Sequence, residues 1–169
     1  MPPPERLPDD EDDDVPVVGP LPGWRRDERI SRFTRLVLLL MAAGFVAVFV
    51  IALTLRPYRD DGSPREMATH TQLGLPECNF VAMTGKPCPT CGMTTSFAHL
   101  VRGNVWSSMK ANWVGTLLAV YWFVLIPWAV VSSFRGRLFR VRNGEAMITV
   151  SIGIFTVLVL VRWVAVLIQ

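Results

Sequence analysis

The chain has 169 residues, 51% of them hydrophobic and 18% charged, with a mean hydropathy of +0.36 and a formal charge of +3. That balance excludes a soluble disordered protein, and the gathering of apolar residues into long uncharged blocks excludes an ordinary soluble core. The charge is unevenly placed, since nine of the fourteen acidic residues fall in the first 28 positions and residues 29–169 sum to +9.

Residues 1–35 form an acidic, proline-rich and then arginine-rich tail. Residues 1–23 hold seven prolines and the run Asp9, Asp10, Glu11, Asp12, Asp13, Asp14. No apolar stretch there offsets the entropy of ordering, so the tail is expected to be disordered. It reads as a solvating segment, with partner binding as the alternative; without a fixed frame its carboxylates lack the oxygen geometry of a calcium site.

Residues 36–55 are twenty positions without a charge. At about 1.5 Å per residue they cross a hydrocarbon core of about 30 Å. The long polar stretch before them distinguishes this span from a cleaved signal peptide and predicts a retained anchor. A loop over 56–112 follows, then a second span at 113–131 with Pro127 near its end, an arginine-rich loop at 132–145, and a third span at 146–168. Arg162 interrupts the third span; it is read as snorkelling to the near interface. The expected fold is an all-α membrane protein with three transmembrane helices, a short amphipathic helix in the first, outer loop, and a disordered N-terminal tail.

Arginines crowd the entrance to the first span (Arg25, Arg26, Arg29, Arg32, Arg35) and the loop after the second (Arg135, Arg137, Arg140, Arg142), whereas 56–112 carries only six basic residues. The N-terminus and arginine-rich loop are therefore placed in the cytoplasm, and the long loop outside. The sequence pI near 9.1 follows from juxtamembrane arginines facing anionic lipid, not from a nucleic-acid partner. The expected partners are the bilayer and another membrane protein or a second copy, because small residues recur at four-spacing in Ala43 with Ala47, Gly115 with Ala119, and Thr149 with Gly153. The spans hold no Asp, Glu, Lys or His, which argues against a proton relay or cation transporter.

The loop opens with an extended linker marked by Pro57, Gly62, Pro64 and Gly74. All three cysteines then fall in one window, Cys78, Cys88 and Cys91. Cys88-Pro89-Thr90-Cys91 is a C-x-x-C unit, whose turn brings two thiols together for a disulfide or a shared metal. A short helix is expected at about 93–102, with Met93, Phe97, Leu100 and Val101 on one apolar stripe. Cys91, Thr95 and His99, with Arg102 beside them, share the opposite face, expected to look into water while the helix lies on the membrane. Gly103 ends this helix and Asn104 caps the next, which runs through Trp106 and Trp113 into the second span. The N-terminus of the short helix favours a thiolate at the C-x-x-C.

Cys78, followed by Gly85-Lys86-Pro87-Cys88-Pro89-Thr90-Cys91-Gly92-Met93-Thr94 and then Arg102-Gly103-Asn104, resembles the bacterial membrane-protein family catalogued as domain of unknown function 2752. That family shows an upstream cysteine, a G-x-P-C-P-x-C-G-x-T core and a following R-G before an apolar span. The resemblance covers roughly residues 75–131 and implies a small multi-pass protein of unassigned activity. The expected location is the bacterial cytoplasmic (inner) membrane. One departure matters: the family usually carries Arg directly after the Thr matched here by Thr94, and this chain has Thr95, which cannot stabilise a thiolate.

Three readings of the cysteine segment stand open. The first is a structural or interaction module whose C-x-x-C loop is stapled by a disulfide among Cys78, Cys88 and Cys91. The second is a membrane-anchored thiol–disulfide redox protein using Cys88 and Cys91, although no βαβ pattern surrounds them. The third is a structural zinc site on Cys78, Cys88 and Cys91. His99 is a poor fourth ligand, standing about 12 Å along the helix from Cys91, and His70 sits on the linker. No phosphate loop, H-E-x-x-H or G-x-S-x-G occurs. No confident catalytic residue or cofactor is expected, and an enzyme is the lesser reading.

Overall fold

The computed structural model describes residues 29–138 and 144–168. The tail expected to be disordered (1–28) and residues 139–143 of the arginine-rich loop lie outside the described residues. Among the described residues three long helices are apolar enough to cross a membrane: α1 (Arg32–Thr54), α4 (Val105–Arg135) and α5 (Gly144–Ile168). Between α1 and α4 the chain forms a 3₁₀ turn (Thr69–Leu73) and two short helices, α2 (Asn79–Thr84) and α3 (Met93–Leu100). The protein is an all-helical integral membrane protein, and the Leu, Val and Ile side chains left exposed along α1 and α5 are the lipid-facing surface of its spans.

Both ends of α1 and the start of α4 have side-chain partners for their orphan backbone groups. Ser31 caps α1, its Oγ accepting from the Thr34 amide at 3.0 Å. At the other end of α1, Arg102 donates to the Ala52 and Leu53 carbonyls at 3.1 and 2.8 Å, a cation at a helix C-terminus. Asn104 caps α4, its Oδ1 accepting from Ser107 N at 3.1 Å. The Ile30 amide donates to Gly136 O at 2.9 Å, so the start of α1 and the end of α4 share one end of the molecule.

α4 is broken within its first third. Asn112 has φ −163° and ψ 101°, outside the helical region. Its side chain caps the second piece, Oδ1 accepting from Gly115 N at 3.0 Å. Gly115 N would otherwise bond the carbonyl of Ala111, four residues back. The break therefore leaves Ala111 O available to another part of the chain.

The short helix α3 does not lie on the membrane with its polar face in water. Thr95 and His99 are 1% and 0% exposed. The linker accounts for the difference: it is ordered, bridging Tyr58 to Pro64 and fastened by Gln72, which exchanges two 2.8 Å bonds with the Arg56 backbone. Folded over α3, it supplies Thr69 Oγ1 to Thr95 Oγ1 and Arg65 O to His99 Nε2 at 2.9 Å, with Tyr58 packed edge-on to the imidazole at 5.3 Å. The apolar stripe of α3 faces inward, Phe97 meeting Ala52 and Ala119 with Phe49 and Trp122 around them. A polar seam joins α3 to α4, where Ser108 Oγ donates to Ser96 O at 2.8 Å and the Ser108 and Thr116 hydroxyls stand 2.7 Å apart. Buried polar groups are tolerable when paired in this way.

Of the three small-residue pairs, only Gly115 with Ala119 is buried. Ala43, Ala47, Thr149 and Gly153 are exposed. A Cβ at Gly115 would meet Ser96 Oγ at 2.5 Å and Met93 Cγ at 3.2 Å. Gly115→Leu is expected to cost about 1 to 3 kcal/mol in denaturant unfolding of the detergent-solubilised protein. Gly153→Leu, at a position with open space around it, is expected to stay within about 0.5 kcal/mol.

Candidate functional site

Cys78, Cys88 and Cys91 come from two separate segments, yet their sulfurs all lie within 4.8 Å of one another. Local geometry explains why. Cys78 precedes α2, whose last turn closes on Gly85, a left-handed residue with φ +69° and its amide on Val81 O at 2.8 Å. That reversal sends Lys86, Pro87 and Cys88 back past the start of α2. The C-x-x-C then turns on itself, Cys91 N donating to Cys88 O at 3.1 Å and Cys88 N to Cys91 Sγ at 3.3 Å.

Gly92 completes the turn at the head of α3. Its φ is +83°, and an added Cβ would collide with Ala111 O and stand 3.0 Å from Glu66 O. Only glycine lets the loop approach the broken segment of α4 this closely. There Asn112 Nδ2 donates to Cys91 O at 3.1 Å, so one side chain both caps α4 and holds the cysteine turn.

α5 supplies the remaining contacts. Arg162 donates from Nη2 to the unoccupied Ala111 carbonyl at 3.2 Å and reaches Pro89 O at 3.5 Å. Trp163 Nε1 donates to Pro87 O at 3.2 Å, and its ring meets Phe80 of α2 edge-on at 5.9 Å. In the reverse direction Lys86 Nζ donates to Leu167 O at 2.7 Å, at the C-terminal end of α5 where a cation is favoured. Arg162 is thus turned inward onto the cysteine loop, within electrostatic range of Cys91 and Cys88. This corrects its reading as a snorkelling residue, and it places a guanidinium beside the thiols although Thr95 cannot supply one.

The two sulfurs of the C-x-x-C stand 3.0 Å apart, with Thr90 Oγ1 at 3.4 Å from Cys88. Burial alone would raise the Cys88 thiol, but hydrogen bonds to its sulfur from Cys91, Thr90 and Cys78 outweigh it and bring Cys88 down to about 7. Burial, with the hydrogen bond Cys91 gives to Cys88, pushes Cys91 up to about 12. All three cysteines are half-buried and unbridged. The arrangement can form a disulfide, hold a thiolate, or bind a metal through three sulfurs. Among the described residues no His, Asp or Glu joins the three sulfurs as a further ligand.

The other motif residues are structural supports. Pro87 and Pro89 offer their carbonyls to α5, Gly103 turns the chain out of α3 with φ +76°, and Asn104 caps α4 and reaches Tyr58 OH at 3.3 Å. Thr94 is half-buried beside them. Arg102 belongs to the end of α1 and not to the thiols. Asn112, Arg162 and Trp163 were missed as site residues; the charge at Arg162 inside an apolar span was the available signal.

Residues 78–126 match the family described as protein of unknown function (DUF2752), which supports the resemblance carried by the cysteine motif. No curated protein and no solved structure matches the chain.

In the reduced protein, alkylation of Cys88 by iodoacetamide is expected to rise as pH passes about 7 while Cys91 stays unreactive through pH 9, because the thiolate is the nucleophile. Site-resolved mass spectrometry reads this; equal midpoints near ~8.5, the value of an unperturbed thiol, would contradict it.

Proposed function

We propose that the protein is a structural or interaction module of the bacterial inner membrane whose extracytoplasmic loop is closed by a Cys88–Cys91 disulfide. The observation that carries this is the 3.0 Å separation of the two sulfurs within one tight turn. The N-terminus and the α4–α5 connection are cytoplasmic, following their arginines, and the thiols then face an oxidising compartment in which close pairs close. Oxidation removes two thiol hydrogens as two protons and two electrons to an external disulfide or quinone-linked oxidant. The product fixes the loop on which α2, α3, the break in α4 and the end of α5 all converge.

A second reading, thiol–disulfide exchange, is favoured by Cys78 standing beside the pair. The Cys88 thiolate would attack a partner's disulfide and release one partner thiolate; Cys91 would then attack the Cys88 sulfur and release the second as the Cys88–Cys91 bond forms. Zinc on the three sulfurs fits less well. A tetrahedral zinc at about 2.3 Å from each sulfur holds neighbouring sulfurs about 3.8 Å apart, wider than the present pair, and it needs a fourth ligand.

Labelling of intact spheroplasts with a membrane-impermeant maleimide separates these readings. The expected result is one reactive cysteine, Cys78, before reduction and three after it. Three labels unmasked by a chelator alone would establish metal instead, and labels only after lysis would reverse the topology. A pair potential below about −300 mV marks a staple, whereas −120 to −230 mV, roughly the range of exchange proteins, marks redox work.

A further inference from the structure

Between α5 and the α1–α4 pair lies a cleft of about 1240 Å³, larger than the roughly 300 to 1,000 Å³ typical of small-molecule pockets. Its origin is the way α5 is attached. The C-terminal end of α5 is fastened to the cysteine loop through Arg162, Trp163 and Leu167. Midway, Ser151 bonds Tyr121 at 2.9 Å and Phe155 packs on the same ring at 5.5 Å. No residue of α5 is buried, and its residues from Gly144 to Leu160 supply one wall of the cleft.

The cleft has two chemistries along its length. Leu38, Met41, Leu118, Leu125, Ile152 and Leu160 make an aliphatic interior. At the end where α1 begins and α4 finishes, the polar lining includes Arg29, Arg137, Ser31 and Thr34, with Glu145 as the one acidic side chain among the described residues. Among the described residues the mouth is cationic on balance, and Arg32, Arg35 and Arg135 lie in the flanking turns; Arg137 has a contact of its own, and the five N–H donors of a guanidinium leave room for a phosphate beside it.

We propose that this cleft is a binding site for an anionic phospholipid, with the acyl chains along the aliphatic walls and the phosphate at Arg29 and Arg137. Apolar length capped by guanidinium groups at one end matches such a lipid in both chemistry and order. A zwitterionic lipid would bring its own cation to this mouth and lose the charge pairing. A second copy of the chain fits poorly, because a two-fold axis along the membrane normal brings equivalent ends together and sets arginine against arginine.

The test is native mass spectrometry of the full chain released from mixed micelles containing equal phosphatidylglycerol and phosphatidylcholine. Retention of phosphatidylglycerol over phosphatidylcholine is expected, falling roughly fivefold for Arg29→Gln or Arg137→Gln, about what one arginine at an anionic surface contributes. Ile152→Trp, which fills the cleft while leaving the mouth intact, is expected to reduce retention of both lipids. Maleimide labelling of the three cysteines, unchanged in each variant, shows that the fold persists. Equal retention of the two lipids, or a phosphatidylglycerol preference untouched by all three variants, would overturn the proposal. So would an Ile152→Cys variant that cross-links quantitatively to a second copy.

Discussion

A single backbone carbonyl, Ala111 O, is the point on which the site depends. An uninterrupted helix would have spent it on Gly115 N; Asn112 diverts that amide to its own side chain, and the carbonyl is left facing α5. A buried carbonyl left unpaired would be costly, and Arg162 answers it at buried Ala111. The same exchange solves the problem of Arg162, a charge within an apolar span that needs acceptors. A buried break in a helix needs its freed carbonyl paired and covered by protein, and here the cover is the cysteine turn, which Gly92 allows to pass directly over the break.

From that point the rest of the arrangement follows. Asn112 holds Cys91, and Cys91 and Cys88 lie in contact. Gly85 returns the chain so that Cys78 joins them, and Lys86 and Trp163 bind the loop to the last turn of α5. The attachment of α5 is therefore concentrated at the thiol end, and the cleft at the arginine end is its counterpart. A disulfide in such a loop acts less on α3 alone than on the seam among three spans.

The spans were legible because each is an uncharged run long enough to cross a bilayer, a signal that depends on composition and not on partners. The helical position of α3, its end at Gly103 and the cap at Asn104 were legible from local chemistry. The direction in which α3 faces was not. Its polar stripe of Thr95 and His99 reads as facing water because water is the default partner of a polar face, whereas here Thr69 and Arg65 O satisfy it from a linker 26 and 34 residues upstream in sequence. Helix α2 escaped notice because six residues give too little periodicity. Arg162 was visible as an anomaly but not as a partner, since nothing in its own segment points to a carbonyl released fifty-one positions earlier.

The most direct test of this account is a double-mutant cycle on Asn112→Ala and Arg162→Gln, read by denaturant unfolding of the reduced protein in detergent. If Asn112 exposes the carbonyl that Arg162 occupies, the two losses are coupled, and the double variant departs from their sum by about 1 to 3 kcal/mol. Losses that add within about 0.5 kcal/mol would mean that the break in α4 and the inward turn of Arg162 are independent, and the account of the site would fail.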